Sequence, residues 1–318
     1  MLKKIGVTLV IQPFCGGSFQ YAQSILEALS RLNPSKYKIL AFYTDSSWKE
    51  YLDQYHFETY LLTFNIDKMP KKIDSFNCDL IICPSVDGLS EFLDTPTLVP
   101  IHDLMHVYEK RFPEHRENGE FEKRQKIYRT MYECAEGILV DSELGKQHIL
   151  EQYGRIYINK IFVLPFTVPR YLNAQYYLKD RKIIEGKYIF YPAQFWMNKN
   201  HKNLILALVQ LLKKDIDIQL VLVGSPKNGY DEVGGLVKKY KLTDNVKILG
   251  YVSNEDMYFL YKHARAMIMP TFIGPTNIPP LEGMAVGCPV AVSDVYAMAE
   301  QVGDAALLFN PNNVDEIA

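Results

Sequence analysis

Short apolar runs alternate with longer amphipathic stretches along the first half of the chain. The first run, KIGVTLVI, is followed by a glycine loop and by FQYAQSILEALSRL, whose apolar positions have helical spacing. Five more strand-like runs follow, each almost continuously apolar: YKILAFYT, DLIICPS, PTLVPIHD, GILVDS and KIFVLP. Continuous apolar runs separated by helices predict a parallel sheet that is buried on both faces.

The same alternation restarts near residue 187. The stretch before it, PRYLNAQYYLKDRKIIEGK, is polar and aromatic without a clean period, so we predict a domain boundary there. We expect a first domain over residues 1–170, a linker over 171–186 and a second domain over 187–318. Each half predicts a doubly wound α/β domain. Such domains bind ligands at the carboxyl ends of their strands, so we expect the ligand in a cleft between the two.

Composition narrows the class of protein. With 318 residues, 48% hydrophobic and 23% charged, the chain has the make-up of a two-domain globular protein. A formal net charge of -2 gives no general attraction to nucleic acid. No apolar run is long enough for a membrane span. The five cysteines are spaced for neither a zinc site nor a disulfide framework, which favours a reducing, cytoplasmic location.

The two ends of the chain also carry patterns. We interpret the N-terminal MLKKIGVTLVIQPF as a first strand rather than a signal peptide, because its apolar core is short and breaks at Gln12-Pro13. The final residues, NPNNVDEIA, predict a turn and a helix that is just beginning. We therefore expect either a very short last element or a truncated sequence.

The stretch GPTNIPPLEGMAVGCPV (274–290) joins two apolar runs and contains a single carboxylate. Prolines fit the first turn of a helix without loss of a hydrogen bond, so Pro279 and Pro280 predict a helix start, and Gly287 predicts its end. The start of a helix favours a bound phosphate. It also favours an acidic side chain such as Glu282 even without a ligand, and both interpretations stay open on spacing alone.

The segment IPPLEGMAVGCPVAVSD is similar to the donor-site signature of retaining glycosyltransferases of family 4, and the resemblance is strong over residues 186–310. It implies a GT-B fold, in which two Rossmann-like domains face each other across a cleft. It also implies that Glu282 binds the ribose hydroxyls of a nucleotide sugar. The segment 244–270 resembles the part that contacts the base, which implies that role for Tyr251 and Val252.

The loop YPAQFWMNKNHKNLILAL (191–208) resembles the lysine-bearing loop of that family, and Lys199 matches its diphosphate lysine. In a transfer without metal, negative charge develops on the departing diphosphate, and a nearby cation stabilises it. One charge-assisted contact contributes about 1.5–3 kcal/mol, or about 10- to 100-fold in rate. Lys202 is a neighbouring alternative, and a solvated lysine at a helix start is the plain structural interpretation.

Two positions depart from the family pattern. The signature normally has a first glutamate eight positions before Glu282, where this chain has Gly274. An arginine that usually faces the diphosphate is replaced by Gln194. Thr276 and Asn277 are our candidates for the missing hydrogen bonds, and the backbone there for holding a phosphate.

The first domain contains weaker signals. CGGSFQYAQSI resembles the glycine loop of the family, where Gly16 and Gly17 permit close approach of the backbone to a ligand, although most glycine pairs are only turns. His102 follows an apolar run, and the resemblance implies that it meets the donor sugar or the acceptor. His106 lies four residues further on, but no third ligand or HExxH pattern supports a metal.

Two further patterns bear on cofactors and partners. The sequence DID (215–217) looks like an Asp-x-Asp metal motif but precedes a strand, so we interpret it as a solvated turn and expect neither metal nor cofactor. The charged stretch that begins with EKRF at residue 109 continues through MYECA, and its second part has the pattern of an amphipathic helix. We expect its charged side to face solvent. The alternative is peripheral contact with the inner face of a membrane, through a lipid-linked acceptor. The apolar positions of this helix are Phe121, Tyr128, Met131, Tyr132 and Ala135.

The sequence therefore predicts a retaining, metal-independent hexosyltransferase of polysaccharide biosynthesis. It would move a sugar from a UDP- or GDP-sugar to a glycan, a lipid-linked acceptor or another hydroxyl. One alternative is a nucleotide-sugar-binding partner protein without turnover, which Gly274 and Gln194 favour. Another is a UDP-sugar epimerase, for which we find no acid–base carboxylate pair.

Overall fold

The computed structural model describes residues 2–13, 16–177 and 179–318, so Cys15 of the glycine loop lies outside the described residues. The chain forms two compact units. The first contains Met1–His106 and Asn118–Pro165, and the second contains Val107–Glu117 and Phe166–Ala318.

The first unit is built on one parallel sheet. Its strands are β1 (Lys3–Leu9), β2 (Tyr37–Tyr43), β3 (Glu58–Leu61), β4 (Leu80–Ile82), β5 (Thr97–Pro100), β6 (Gly137–Val140) and β7 (Ile161–Val163). Between them run α1 (Gly17–Ser30), α2 (Trp48–Leu52), α3 (Met69–Asp74), α4 (Met105–Tyr108), α5 (Glu120–Cys134) and α6 (Glu143–Tyr153). The strands lie in the order β3-β2-β1-β4-β5-β6-β7, so the winding reverses between β1 and β4.

The second unit repeats this plan. Its strands are β8 (Tyr188–Pro192), β9 (Gln219–Val223), β10 (Val246–Ile248), β11 (Ala266–Met269), β12 (Val290–Ser293) and β13 (Leu307–Phe309). Its helices are α7 (His201–Lys213), α8 (Tyr230–Lys239), α9 (Asn254–His263), α10 (Ile278–Ala285), α11 (Met298–Val302) and α12 (Val314–Ile317). The order is β10-β9-β8-β11-β12-β13, with every pair parallel and the reversal between β8 and β11.

The predicted parallel sheets are confirmed, and burial explains why the pattern was readable. In β9 the four residues Leu220–Val223 are all buried, and β6 is buried along its whole length. A strand covered on both faces has no solvent side and therefore no alternation of polar residues.

The boundary between the units differs from the one expected at residue 170. The longer segment of the second unit begins at Phe166 and includes the whole stretch 171–186 that we expected to be a linker. Leu172 is buried in its core, and Tyr171 and Tyr177 pack against that core. Aromatic side chains without a clean period therefore attach this stretch to the second unit rather than leaving it exposed.

Local residues mark the start of α9 and both ends of α10, and for α10 they are the predicted ones. Ser253 caps α9, since its hydroxyl accepts a hydrogen bond from the backbone N–H of Asp256. Helix α10 has Pro279 and Pro280 in its first turn, and Gly287, with a φ of 74°, follows its end. Among the described residues, no helix combines the length and apolar character needed to cross a membrane.

Candidate functional site

The predicted donor residues gather at one edge of the second unit. Parallel strands end at the same edge of a sheet, and the loops that follow β8, β10 and β11 leave from that edge. These loops carry Gln194 and Lys199 after β8, Tyr251 and Val252 after β10, and Thr276 and Asn277 after β11. Because the winding reverses between β8 and β11, the first and last loops flank the usual ligand position of such a sheet.

Lys199 lies against the loop that precedes α10. Its ammonium Nζ is 3.4 Å from the side-chain oxygen Oδ1 of Asn277. The two loops are also joined through the backbone, since the carbonyl of Asn198 accepts from the N–H of Phe272 at 2.9 Å. The amide of Asn200 donates to the carbonyl of Pro270 at 2.9 Å. The cation therefore lies at the start of α10, and its contact with a diphosphate stays a prediction.

The start of α10 offers fewer donors than an ordinary helix start. The side chain of Asn277 does not cap the helix, and its backbone N–H donates to Gln301 Oε1 at 2.9 Å. Pro279 and Pro280 have no N–H at all. In the first turn, the backbone N–H of Ile278 is the remaining donor. Binding of an anion here would therefore depend more on the charge of Lys199 than it would at a helix start without prolines.

Glu282 is buried within α10, with 6% of its surface exposed. The hydroxyl of Tyr261 donates to its Oε2 at 2.6 Å, and that of Tyr171 donates to its Oε1 at 2.8 Å. Burial raises the pKa of this carboxyl, while the two hydroxyls act in the opposite direction. A carboxylate offers about four acceptor positions, so a ribose hydroxyl would share the oxygens with these tyrosines. The contact with ribose stays a prediction.

Gln194 makes one hydrogen bond within its own loop and one to the loop that follows β9. Its Oε1 accepts from the indole N–H of Trp196 at 2.9 Å, and its Nε2 donates to the hydroxyl of Ser225 at 3.3 Å. The loop after β9 approaches closely at this point because Gly224 has no side chain. A Cβ there would lie 2.2 Å from the carbonyl oxygen of Ala193.

Gly274 shapes the loop before α10. It has a φ of 109°, a conformation that other residues rarely adopt, and a Cβ there would lie 2.6 Å from Nδ2 of Asn277. A glutamate at this position would be strained by that φ and would have to displace the side chain of Asn277. Gly274 therefore differs from the family signature in two ways: it lacks the carboxylate, and its backbone has a conformation that favours glycine.

The remaining predicted donor residues differ in accessibility. Tyr251 is 68% exposed and Val252 is half-buried, which leaves the tyrosine ring accessible to a base. Thr276 is buried, with 8% of its surface exposed. A direct role for Thr276 in binding a ligand is thus less favoured than one for Asn277.

In the first unit, the predicted residues lie at the corresponding strand ends. Gly16, with a φ of 60°, precedes Gly17, the first residue of α1. His102 follows β5, and its ring packs edge-on against Tyr21 with centroids 4.7 Å apart. Burial lowers the pKa of His102 to about 4, so its ring is neutral at physiological pH. His106 is fully buried and packs against Phe121 and Tyr128, which favours a structural role.

The sequence patterns do not indicate three residues that contact the site: Tyr171, Tyr261 and Glu114. Tyr171 lies 111 positions from Glu282, to which its hydroxyl donates a hydrogen bond. Glu114 lies 84 positions from Asn198 and accepts a hydrogen bond from its backbone N–H. No local pattern could pair residues so far apart. Among the described residues, no group of three or more His, Cys, Asp or Glu side chains is arranged to hold a metal ion.

Comparison with known proteins places this edge in context. Residues 179–318 match the family Glycosyl transferases group 1. This part of the chain is similar to the group 1 glycosyltransferase domain. The match begins after the two tyrosine-bearing turns at 170–176 and includes every predicted donor residue.

Two relatives and one solved structure extend the comparison. The O-antigen chain mannosyltransferase B of Escherichia coli is 28% identical over 213 residues, which cover 65% of this chain and 56% of the relative. The serotype-specific mannosyltransferase WbdA of Escherichia coli is 23% identical over 70% of this chain and 28% of its own length. The chain thus spans about half or less of these relatives. Anabaena HepE, solved with UDP and glucose, has a TM-score of 0.73 at 16% identity, covering 99% of this chain and 88% of HepE. The fold is GT-B.

Proposed function

We propose that this chain is a retaining glycosyltransferase that needs no metal and transfers a sugar from a UDP- or GDP-sugar to a glycan, lipid-linked or other hydroxyl acceptor. The observation that carries the proposal is the position of Lys199 beside Asn277 within the part of the chain that is similar to the group 1 glycosyltransferase domain. A mannosyl group is the first sugar to test, because both Escherichia coli relatives are named mannosyltransferases. UDP needs testing because the HepE structure contains UDP. GDP needs testing because the sequence leaves both bases open.

The proposed reaction breaks the bond between the anomeric carbon and the diphosphate oxygen, and the electron pair stays on that oxygen. Lys199 stabilises the negative charge that develops there. The acceptor oxygen attacks the same face of the sugar, and its proton passes to the departing phosphate. A covalent sugar–enzyme intermediate would need a second placed carboxylate, as in retaining glycosidases. Glu282, bound by two tyrosine hydroxyls, is not placed as a nucleophile.

The first unit is the proposed acceptor side. Gly16 and Gly17 start α1 without side chains, which suits a close approach of a sugar to the backbone. His102, neutral at physiological pH, can donate or accept a hydrogen bond to a hydroxyl without presenting a charge.

Binding without turnover is the second candidate. It is favoured by Gly274, which lacks the first signature carboxylate and whose backbone conformation disfavours a glutamate, and by Gln194, which brings no positive charge. Such a protein would bind the nucleotide sugar through the same edge of the second unit but would leave the glycosidic bond intact.

One experiment distinguishes the two. UDP-glucose, UDP-mannose and GDP-mannose are each incubated with the protein and a mannose-terminated oligosaccharide, and free UDP or GDP is measured. Acceptor-dependent release with one donor, together with an α-linked product from an α-linked donor, supports the transferase. Binding of a nucleotide sugar without release supports the binding protein. An inverted product would contradict the retaining mechanism.

A further inference from the structure

A short segment, Val107–Glu117, belongs to the second unit although the chain on both sides of it belongs to the first. We call it the strap. Phe112 of the strap stacks on Phe272 with ring centroids 5.6 Å apart, and Glu109 accepts a hydrogen bond from the hydroxyl of Tyr296 at 2.8 Å. These contacts, at two separate points of the strap, attach it to the loops that follow β11 and β12.

Glu114 of the strap binds the turn that ends in Lys199. Its Oε1 accepts from the backbone N–H of Asn198 at 3.0 Å, and its Oε2 accepts from the amide of Asn228 at 2.8 Å. Asn228 in turn accepts from the backbone N–H of Met197 at 3.0 Å. One carboxylate therefore holds two consecutive N–H groups of the lysine turn, one directly and one through Asn228.

The chemistry of this contact favours an acid. Hydrogen bonds to an ionised carboxylate are stronger than those to a neutral acceptor, and only a carboxylate accepts on both oxygens at once. A glutamine can accept on one oxygen, and its amide group would face the amide of Asn228. Both carboxylate oxygens point at donors of the protein, so the negative charge of Glu114 is used within the turn rather than directed at a ligand.

We infer that Glu114 is a positioning residue of the donor site: it fixes the backbone of residues 197–199 and thereby the position from which Lys199 reaches a diphosphate. This inference rests on the proposed function. A lysine side chain has many conformers, and a backbone that is held in one place lowers the entropy lost when the ammonium meets its ligand. Glu114 acts through Lys199 and does not contact the ligand itself.

The test compares nucleoside diphosphates with nucleosides by calorimetric titration. For whichever of UDP and GDP binds the wild-type protein, Glu114→Ala is expected to weaken binding about tenfold. Binding of the matching nucleoside, uridine or guanosine, should stay within about twofold, since the base and ribose do not depend on the lysine turn. The affinity of Glu114→Gln for the nucleoside diphosphate is expected to lie between those of the wild-type protein and Glu114→Ala. Asn228→Ala, which keeps the bond to Asn198, is a milder second variant with the same expected direction.

Glu232→Gln is the matched control. Glu232 is a carboxylate of the same unit that pairs with Lys202 at 2.8 Å, on α8, and it holds no part of the lysine turn. Its substitution should leave binding of the nucleoside diphosphate unchanged. Equal losses for Glu232→Gln and Glu114→Ala would overturn the inference, because they would indicate a general effect of charge.

A double substitution separates positioning from stability. If Glu114 acts through Lys199, adding Glu114→Ala to Lys199→Ala should weaken binding less than twofold further. Losses that multiply, or wild-type affinity in Glu114→Ala alone, would overturn the inference while leaving the proposed function intact. Failure of the wild-type protein to bind either nucleoside diphosphate would overturn the proposed function and the inference together.

Discussion

Replacing Tyr261 by phenylalanine removes one of two hydroxyls that satisfy a buried carboxylate. Tyr261 is fully buried, and its hydroxyl lies 2.6 Å from Oε2 of Glu282. Loss of a hydrogen bond to a charged group costs about 1.5–3 kcal/mol. Tyr188→Phe is the matched control, because the hydroxyl of Tyr188 is also buried but donates to the neutral carbonyl of Leu260 at 2.8 Å. That loss should cost about 1 kcal/mol.

The pH dependence follows from the raised pKa of Glu282. In the folded protein this carboxyl holds its proton more tightly than in the unfolded chain, so its contribution to stability is present at low pH and is lost as the pH rises through the folded pKa. Tyr261→Phe removes a hydrogen bond that favours the charged form and raises this pKa further. The cost of the substitution should therefore be largest near neutral pH and smaller in acid.

Urea unfolding of the wild-type and both variants, at about pH 8 and about pH 5, measures these costs. We expect the cost of Tyr261→Phe to be smaller at about pH 5 than at about pH 8, and that of Tyr188→Phe to stay constant. An equal cost of Tyr261→Phe at both pH values, or one below about 0.5 kcal/mol, would refute the stabilisation of the buried Glu282 carboxyl by this hydroxyl.

Three further predictions follow from single residues. Lys199→Ala should weaken binding of a nucleoside diphosphate about 10- to 100-fold, whereas Lys202→Ala should not; a loss under about twofold in calorimetry would show that the lysine turn does not hold the diphosphate. The ring of His102 should titrate with a pKa of about 4 by NMR and stay neutral between about pH 6 and 8, and a midpoint above about 6 would contradict its burial. Gly224→Ala should destabilise the protein by about 2–4 kcal/mol, because its Cβ would meet the carbonyl of Ala193 in a strained conformation. An unfolding free energy within about 1 kcal/mol of wild type would show that the two loops can separate.

The order of elements could be predicted because each buried strand and each helix has a local pattern. The continuous run of β9 and the paired prolines of α10 place a strand and a helix start without any knowledge of their neighbours. The carboxyl-end positions of Gln194, Lys199 and Asn277 then follow from parallel strands, in which all carboxyl ends share one edge.

The surroundings of the candidate site could not be predicted in this way. The two tyrosines at Glu282 and the glutamate at Asn198 act across 21, 111 and 84 positions of sequence, and nothing near each residue specifies its partner. The strap shows the same limit on a larger scale. Its composition resembles that of the charged helix that follows, but its packing on Phe272 assigns it to the other unit.

Calorimetric titration of the wild-type protein with UDP and with GDP, in a buffer containing EDTA, measures whether the donor site binds a nucleotide without metal. We expect saturable binding of one of the two nucleotides without any metal, through Lys199 and the start of α10. If neither nucleotide binds, or if binding appears only after a divalent cation is restored, the donor site proposed for this chain is contradicted.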